Sequence, residues 1–186
     1  MTKAKASTTV AKKRVATIWL DGCSGCHMSF IDIDERLLAL GSQIELVYGP
    51  LVDYKEFPEN VDLTLVEGSV SSEEDLHKAK VVRANSKVVV ALGDCAVTGN
   101  VPSMRNPFGV QAIMNRAYLE SGLVHPGVPS EIVPKLLPVV TPVHANIKVD
   151  FFIPGCPPSA DTIYYFLSEV LAGRTPDMNA ITRFGK

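Results

Sequence analysis

Short apolar runs rich in β-branched residues recur along the chain and predict five β-strands. The run from Val88 to Leu92 is apolar without alternation, which is typical of a strand covered on both faces in a parallel sheet. The other four runs follow a similar design. The predicted strands are residues 14–20, 44–48, 63–67, 87–92 and 150–153.

Between these runs, apolar residues recur at helical spacing and predict helices over residues 28–40, 72–84 and 159–172. Ser71 or Ser72 would cap the second helix, whose first turn is acidic, and Gly173 would close the third. Strands that alternate with helices predict a single α/β domain. We expect a flavodoxin-like, doubly wound, parallel five-stranded sheet.

The segment from residue 99 to residue 142 interrupts this alternation. It contains a predicted helix over residues 110–120 and then five prolines, at positions 126, 129, 134, 138 and 142. Proline removes a backbone donor and fixes the backbone, so we expect no regular element after the helix. An irregular segment of this length in a compact domain more often covers a site or binds a partner than serves as a simple connection.

Composition and charge narrow the class of protein. A chain of 186 residues that is 46% hydrophobic and 20% charged fits one globular domain and excludes a disordered chain. Residues 1–14 carry five basic side chains and no acidic one. The net charge of residues 15–186 is therefore more negative than the −2 of the whole chain. This argues against nucleic acid as a partner. We predict a disordered basic tail at residues 1–13 and one domain at residues 14–186.

The N-terminal sequence has no apolar core, no paired arginines and no small-residue cleavage pattern, so export is not expected. No apolar run approaches the ~20 residues that span a bilayer. We therefore expect a cytoplasmic protein with no membrane partner, in which thiols stay reduced and available to metals.

All four cysteines follow predicted strand ends. Cys23 and Cys26 form a C-x-x-C motif after the first strand, Cys95 follows the fourth, and Cys156 follows the fifth. The carboxyl ends of parallel strands meet at one edge of a sheet, so the four thiols should converge. Each cysteine has a glycine one or two positions before it, which lets the backbone approach a bulky ligand. The pattern predicts a metal site.

Several kinds of site remain open. A thioredoxin-like redox pair would use Cys23 and Cys26 but leave Cys95 and Cys156 without a role. Zinc accepts four thiolates, although its ligands usually form two close pairs. Cysteines that merely pack in the core are a further alternative. A [4Fe–4S] cluster suits ligands from separate loops, and Pro157 directly after a cysteine is frequent at such sites, so the cluster is favoured.

Other side chains near this edge have two interpretations each. Glu67 ends the third strand and could relay protons or contact a partner, or could be an ordinary exposed acid. His27 could donate to a cluster or line a subunit contact, or lie at the surface. We expect Trp19 mainly in the core, with a flavin or partner contact as the alternative. His77, His125 and His144 are expected in solvated or loop positions.

Four segments carry a more specific signal: WLDGCSGCHMSF at residues 19–30, VEGS at 66–69, GDCAVTGN at 93–100 and IPGCPP at 153–158. Together they closely resemble the small (delta) subunit of the cytoplasmic NAD-reducing, bidirectional [NiFe] hydrogenases. The resemblance covers about residues 14–172. It implies that the four cysteines ligate one proximal [4Fe–4S] cluster beside a Ni–Fe centre on a separate large subunit. It also implies flavin and iron–sulfur diaphorase subunits that receive the electrons and reduce NAD.

The chain itself has no recognisable group that would activate a substrate, so we expect no catalytic residue on it and an electron-transfer role. Backbone N–H groups near glycines and nearby polar side chains are expected to bond the cluster sulfurs and help to set its potential. These candidate residues are Gly22, Ser24, Gly25, Asp94, Thr98 and Gly155.

Related families differ in ways that matter. Exported uptake hydrogenases carry a twin-arginine signal and a further cluster domain, which are not seen here. The complex I quinone-reductase subunit has two adjacent cysteines where this chain has Cys23-Ser-Gly-Cys26. The loop in which a flavodoxin would bind phosphate holds cysteines, although FMN stays an open cofactor. The alternatives are a complex I-like cluster subunit, a zinc-stabilised flavodoxin-like binding module and a free-standing flavoprotein.

Overall fold

The structure, a computed structural model, describes residues 11–122 and 124–182. The strands are β1 (Lys13–Trp19), β2 (Ile44–Tyr48), β3 (Val61–Glu67), β4 (Val70–Ser72), β5 (Ser86–Leu92), β6 (Leu136–Thr141) and β7 (Phe151–Ile153). The α-helices are α1 (Gly25–Ile31), α2 (Arg36–Gly41), α3 (Glu73–Asn85), α4 (Asp94–Thr98), α5 (Val110–Tyr118) and α6 (Ala160–Leu171). Short 3₁₀ helices lie at Val101–Arg105, Val143–Ala145 and Met178–Ala180.

Five parallel strands form the main sheet in the order β2-β1-β3-β5-β7. Leu65 and Val90 pack on one face with residues of α1 and α6, whereas Val66 and Val89 pack on the other face with α3 and α4. Both faces are therefore covered, as the unbroken apolar runs predict. The five predicted strands and the flavodoxin-like α/β fold are confirmed.

The predicted helix at residues 28–40 is wrong in one respect, because the structure divides it into α1 and α2. The break lies at residues 32–35, where Asp34 has a φ of +58°. Aspartate tolerates this left-handed conformation better than most residues. Ile33, within the break, and Leu40, after it, are both buried in the core. Helical spacing therefore places the apolar residues but does not reveal the change of direction between them.

The other helix predictions agree with the structure. α3 is capped by Ser72, whose hydroxyl accepts from the Asp75 amide at 3.1 Å while the Asp75 carboxylate accepts from Ser72. This reciprocal pair satisfies amides that the first helical turn leaves free. Ser159 caps α6 by accepting from the Thr162 amide at 3.2 Å.

A second departure concerns residues 126–142, for which the prolines predict no regular element. The structure contains β6 there, paired antiparallel with β4 in a two-stranded ribbon. Each strand of a ribbon has one unpaired edge, and a proline such as Pro138 can be accommodated there without the loss of a ladder bond. Among the described residues between α5 and β6, none lies in a helix or strand.

The ends of the chain bear on two further predictions. Residues 1–10 of the predicted tail lie outside the described residues, whereas Lys13 already belongs to β1 and pairs with Ile44. The disordered tail therefore stays a prediction for the first ten residues and is wrong for Lys13. Within the described ranges, no helix is long and apolar enough to cross a membrane.

Candidate metal centre

The loop after β1 presents the first two cysteines at the carboxyl edge of the sheet. Asp21 exchanges backbone hydrogen bonds with Ser69, at 3.1 and 2.7 Å, which ties this loop to the end of β3. Ser24 then adopts a φ of +67°, and α1 begins directly after it. Cys23 is exposed as a result, whereas Cys26 lies inside the first turn of α1 and is buried.

The loops after β5 and β7 present the other two cysteines and are joined to each other. The Asp94 amide donates to the Gly155 carbonyl at 2.8 Å, and the Gly155 amide donates to the Asp94 carboxylate at 2.7 Å. Asp94 is buried, so it contacts the opposite loop rather than solvent. These two bonds fix Cys95 and Cys156 relative to each other.

Cysteine sulfur atoms pack directly against two glycines of the loops, Gly93 and Gly25. At Gly93, whose φ is +82°, an added Cβ would lie 2.2 Å from the Cys26 Sγ, so a side chain at this position is excluded on two grounds. At Gly25 an added Cβ would lie 3.3 Å from the Cys23 Sγ. The loops after β1 and β5 thus meet at the Cys26 thiol, as the sequence predicts.

None of the four thiols is in a disulfide, and the charges of the other three cysteines affect the pKa of Cys26. Burial, followed by the charges of Glu67 and the other three cysteines, raises the pKa of Cys26 well above its usual value. Burial and then the nearby Cys156 raise the pKa of Cys95. Such thiols stay protonated unless a cation stabilises the thiolates. The four cysteines therefore form one electrostatic group at one edge of the sheet.

Four cysteine thiols are a donor set for a zinc ion or for an iron–sulfur cluster. Within the described residues, no three His, Cys, Asp or Glu side chains come close enough to hold a single metal ion. A four-iron cluster bonds each cysteine to a different iron and spaces its ligands more widely than one zinc ion does. The Ser24 hydroxyl, between Cys23 and Cys26, is buried without a hydrogen-bond partner. A sulfur-rich group held there would offer it an acceptor, so the residues fit a cluster.

Glu67 lies directly beneath the first cysteine loop and is only 2% exposed. Its carboxylate accepts from the Cys26 amide at 3.4 Å and from the His27 amide at 3.0 Å, and it also contacts the His27 Nδ1. The His27 Nε2 is buried without a partner. The interpretation of Glu67 as an exposed acid is therefore wrong, as is that of His27 as a plain surface residue.

The remaining candidates lie as follows. The Thr98 hydroxyl donates to the Asp94 carbonyl of its own helix at 2.8 Å, and Gly22 packs against the Gly68 backbone. Trp19 is 45% exposed, so the prediction of a core position is wrong: it ends a strand and borders a cavity of about 240 Å³. The three remaining histidines are exposed, as predicted: His77, His125 and His144.

Sequence reasoning missed one donor that follows α4. The Asn100 Nδ2 donates to the Cys156 Sγ at 3.4 Å. The signal that could have found it is position, because Asn100 directly follows Gly99, which ends the cysteine-bearing helix with a φ of +87°.

Comparison with known proteins gives consistent results. The sequence model described as NADH ubiquinone oxidoreductase, 20 Kd subunit, matches residues 23–170. The chain is 40% identical over 190 residues to the NAD-reducing hydrogenase HoxS subunit delta of Cupriavidus necator, covering 99% of this chain and 91% of that protein. A more distant relative, the iron-sulfur subunit of the F420-non-reducing hydrogenase of Archaeoglobus profundus, is 30% identical, with 93% of this chain and 60% of that protein covered.

Solved structures agree with these sequence matches. A chain in the crystal structure of an NAD+-reducing [NiFe]-hydrogenase in the H2-reduced state superposes with a TM-score of 0.89 at 39% identity. The superposition covers 94% of this chain and 99% of that chain. The two chains therefore share one fold over nearly their whole length.

Proposed function

Because this chain belongs to the NADH ubiquinone oxidoreductase 20 kDa subunit family and is homologous to the delta subunit of an NAD-reducing hydrogenase, we propose that it is the electron-transferring small subunit of such an enzyme. The observation that carries the proposal is the set of four unpaired cysteines that three separate loops bring to one sheet edge. Cys23, Cys26, Cys95 and Cys156 would hold one [4Fe–4S] cluster. When bound, it would accept and release one electron at a time.

The proposed reaction of the whole complex is H2 + NAD+ giving NADH and H+, in either direction. Hydrogen would be cleaved at a Ni–Fe centre on a large subunit, and flavin and iron–sulfur diaphorase subunits would reduce NAD. This chain holds the relay between them. Its residues would fix the four thiols, exclude water from Cys26 and place an N–H donor at the sulfur of Cys156.

The alternatives receive less support. Zinc ligands usually form two close pairs, whereas this chain has one pair, Cys23 and Cys26, and two cysteines distant from it in sequence. A complex I-like cluster subunit would carry adjacent cysteines in its first motif, whereas Cys23 and Cys26 are separated here. The proposal includes no flavin on this chain, because the loop after β1 that would bind its phosphate carries these cysteines.

A large partner is supported by the surface next to the cysteines. Met28 on α1 and Val101, Met104 and Phe108 after α4 are exposed apolar side chains. Several exposed apolar side chains on segments next to a site are typical of a protein interface. We propose that the large subunit covers them, and that the complex is cytoplasmic, where the four thiols would stay reduced until they bind iron.

Anaerobic purification of the complex through this chain from its native host tests the proposal. We expect a nickel-containing subunit to co-purify, with about four iron and four sulfide ions bound by this chain when it is separated under anaerobic conditions. Colourless protein with one zinc ion per chain and no nickel-containing partner would contradict it. Released FMN without iron would instead indicate a free-standing flavoprotein.

A further inference from the structure

We propose that the side-chain amide of Asn100 donates a hydrogen bond to the cluster ligand Cys156 and thereby raises the reduction potential of the cluster. This rests on the proposed function, since it requires a cluster bound by the four cysteines. The Nδ2 atom of Asn100 lies 3.4 Å from the Cys156 Sγ, within the range of N–H to sulfur hydrogen bonds.

The backbone holds Asn100 in a conformation that it would not adopt freely. Its φ of +29° and ψ of −125° lie outside the regions that residues other than glycine normally occupy. The Asn100 carbonyl accepts from both the Ser103 hydroxyl, at 2.7 Å, and the Ser103 amide, at 3.1 Å. These bonds oppose the strain. The turn therefore holds the amide group of Asn100 against a sulfur that belongs to a different strand end.

The effect on potential follows from charge. Reduction adds one electron to the cluster and breaks no bond to the cysteines, so negative charge on the sulfurs increases. An N–H donor stabilises the more negative state and therefore raises the reduction potential. Cys156 is exposed on this chain, as is Cys23, so the donor at its sulfur acts on a side of the cluster that the described residues leave open.

The test is a redox titration of the cluster, followed by electron paramagnetic resonance, in the full chain reconstituted anaerobically and in the purified complex. Asn100→Gly removes the donor and relieves the strained φ, so we expect the fold to persist and the midpoint potential to fall. Ser103→Ala is the matched control, because it removes only the hydroxyl bond to the Asn100 carbonyl and leaves the Ser103 amide bond and the Asn100 donor in place. Its potential should equal that of the wild type.

An unchanged potential in Asn100→Gly, or an equal fall in both variants, would overturn the inference while leaving the proposed function intact. A wild-type chain without a cluster would overturn both. If the glycine variant loses its cluster, the wild type can be tested instead. With ¹⁵N in the asparagine side-chain amides, pulsed electron paramagnetic resonance should detect a nitrogen coupled to the reduced cluster. The absence of this coupling would overturn the inference.

Discussion

At the scale of single residues, Glu67 is a nearly fully buried acidic side chain at the cysteine edge of the sheet. A buried carboxylate costs free energy unless hydrogen bonds compensate for the loss of water. The amides of Cys26 and His27 supply those bonds, and both belong to the first turn of α1. Glu67 therefore anchors the helix that carries the buried cysteine.

Replacement of Glu67 should show this anchoring role. Glu67→Ala leaves two buried amides without an acceptor, so we expect it to lower the free energy of unfolding by about 1–3 kcal/mol and to reduce cluster occupancy. Glu67→Gln keeps an oxygen acceptor in the same place and should cost less. Denaturant unfolding and the visible absorbance of the cluster measure the two effects. An alanine variant as stable and as fully loaded as the wild type would contradict the role.

At the scale of elements, Asp150 joins three of them just before β7. Its carboxylate accepts from the Val89 amide of β5 at 2.9 Å and from Arg83 of α3 at 2.7 Å. Burial alone would raise the pKa of Asp150, but these bonds, with that from Lys148, outweigh it and hold the pKa below its usual value. The ionised carboxylate thus positions the strand that leads to Cys156.

A lowered pKa in the folded state makes this stabilisation depend on pH. It is fully present above the unfolded pKa of about 3.9 and is lost as pH falls through the lower folded value. Asp150→Asn should therefore be less stable by about 1–3 kcal/mol at neutral pH and should lose less further stability as pH falls below about 4. Denaturant midpoints at several pH values measure both. An acid-induced loss as large as that of the wild type would refute the assignment.

The elements also show what a sequence pattern can and cannot predict. The five parallel strands and the cap at Ser72 follow from local apolar runs and capping chemistry. The pairing of β6 with β4 depends on contacts distant in sequence, which no local pattern contains. The break at Asp34 is local, but the apolar spacing continues through it and gives no sign of it. The exposure of Trp19 at the end of β1 is also not predictable from the sequence pattern, because the pattern does not show which strand ends are left uncovered.

At the scale of the whole molecule, some features of the cysteine site could be predicted from the sequence and others could not. Convergence of the four cysteines could be predicted because parallel strands share a carboxyl edge. The burial of Glu67 beneath α1 and the reach of Asn100 to Cys156 could not, because both depend on how separate loops pack. The structure also adds an exposed apolar surface beside the thiols, from which we expect the large subunit to bind.

Charge introduced on that surface should weaken assembly. Phe108 is 70% exposed, so Phe108→Asp should leave the fold of this chain unchanged. In the complex the new carboxylate would lose its water, which costs free energy, so less of the large subunit should be recovered. Leu38→Asp is the matched control, because Leu38 is also exposed and lies on α2, which leads toward the opposite edge of the sheet. Co-purification measures the effect. Equal recovery with both variants would place the interface elsewhere.

The central claim is that the four cysteines together hold one cluster, and iron bound by a Cys95→Ala variant tests it most directly. Cys95 is the most informative position, because a redox pair formed by Cys23 and Cys26 would not need it. We predict that the anaerobically purified variant loses or degrades the [4Fe–4S] cluster and no longer supports NAD-linked hydrogen oxidation. A variant that keeps about four iron ions per chain and full activity would contradict the assignment.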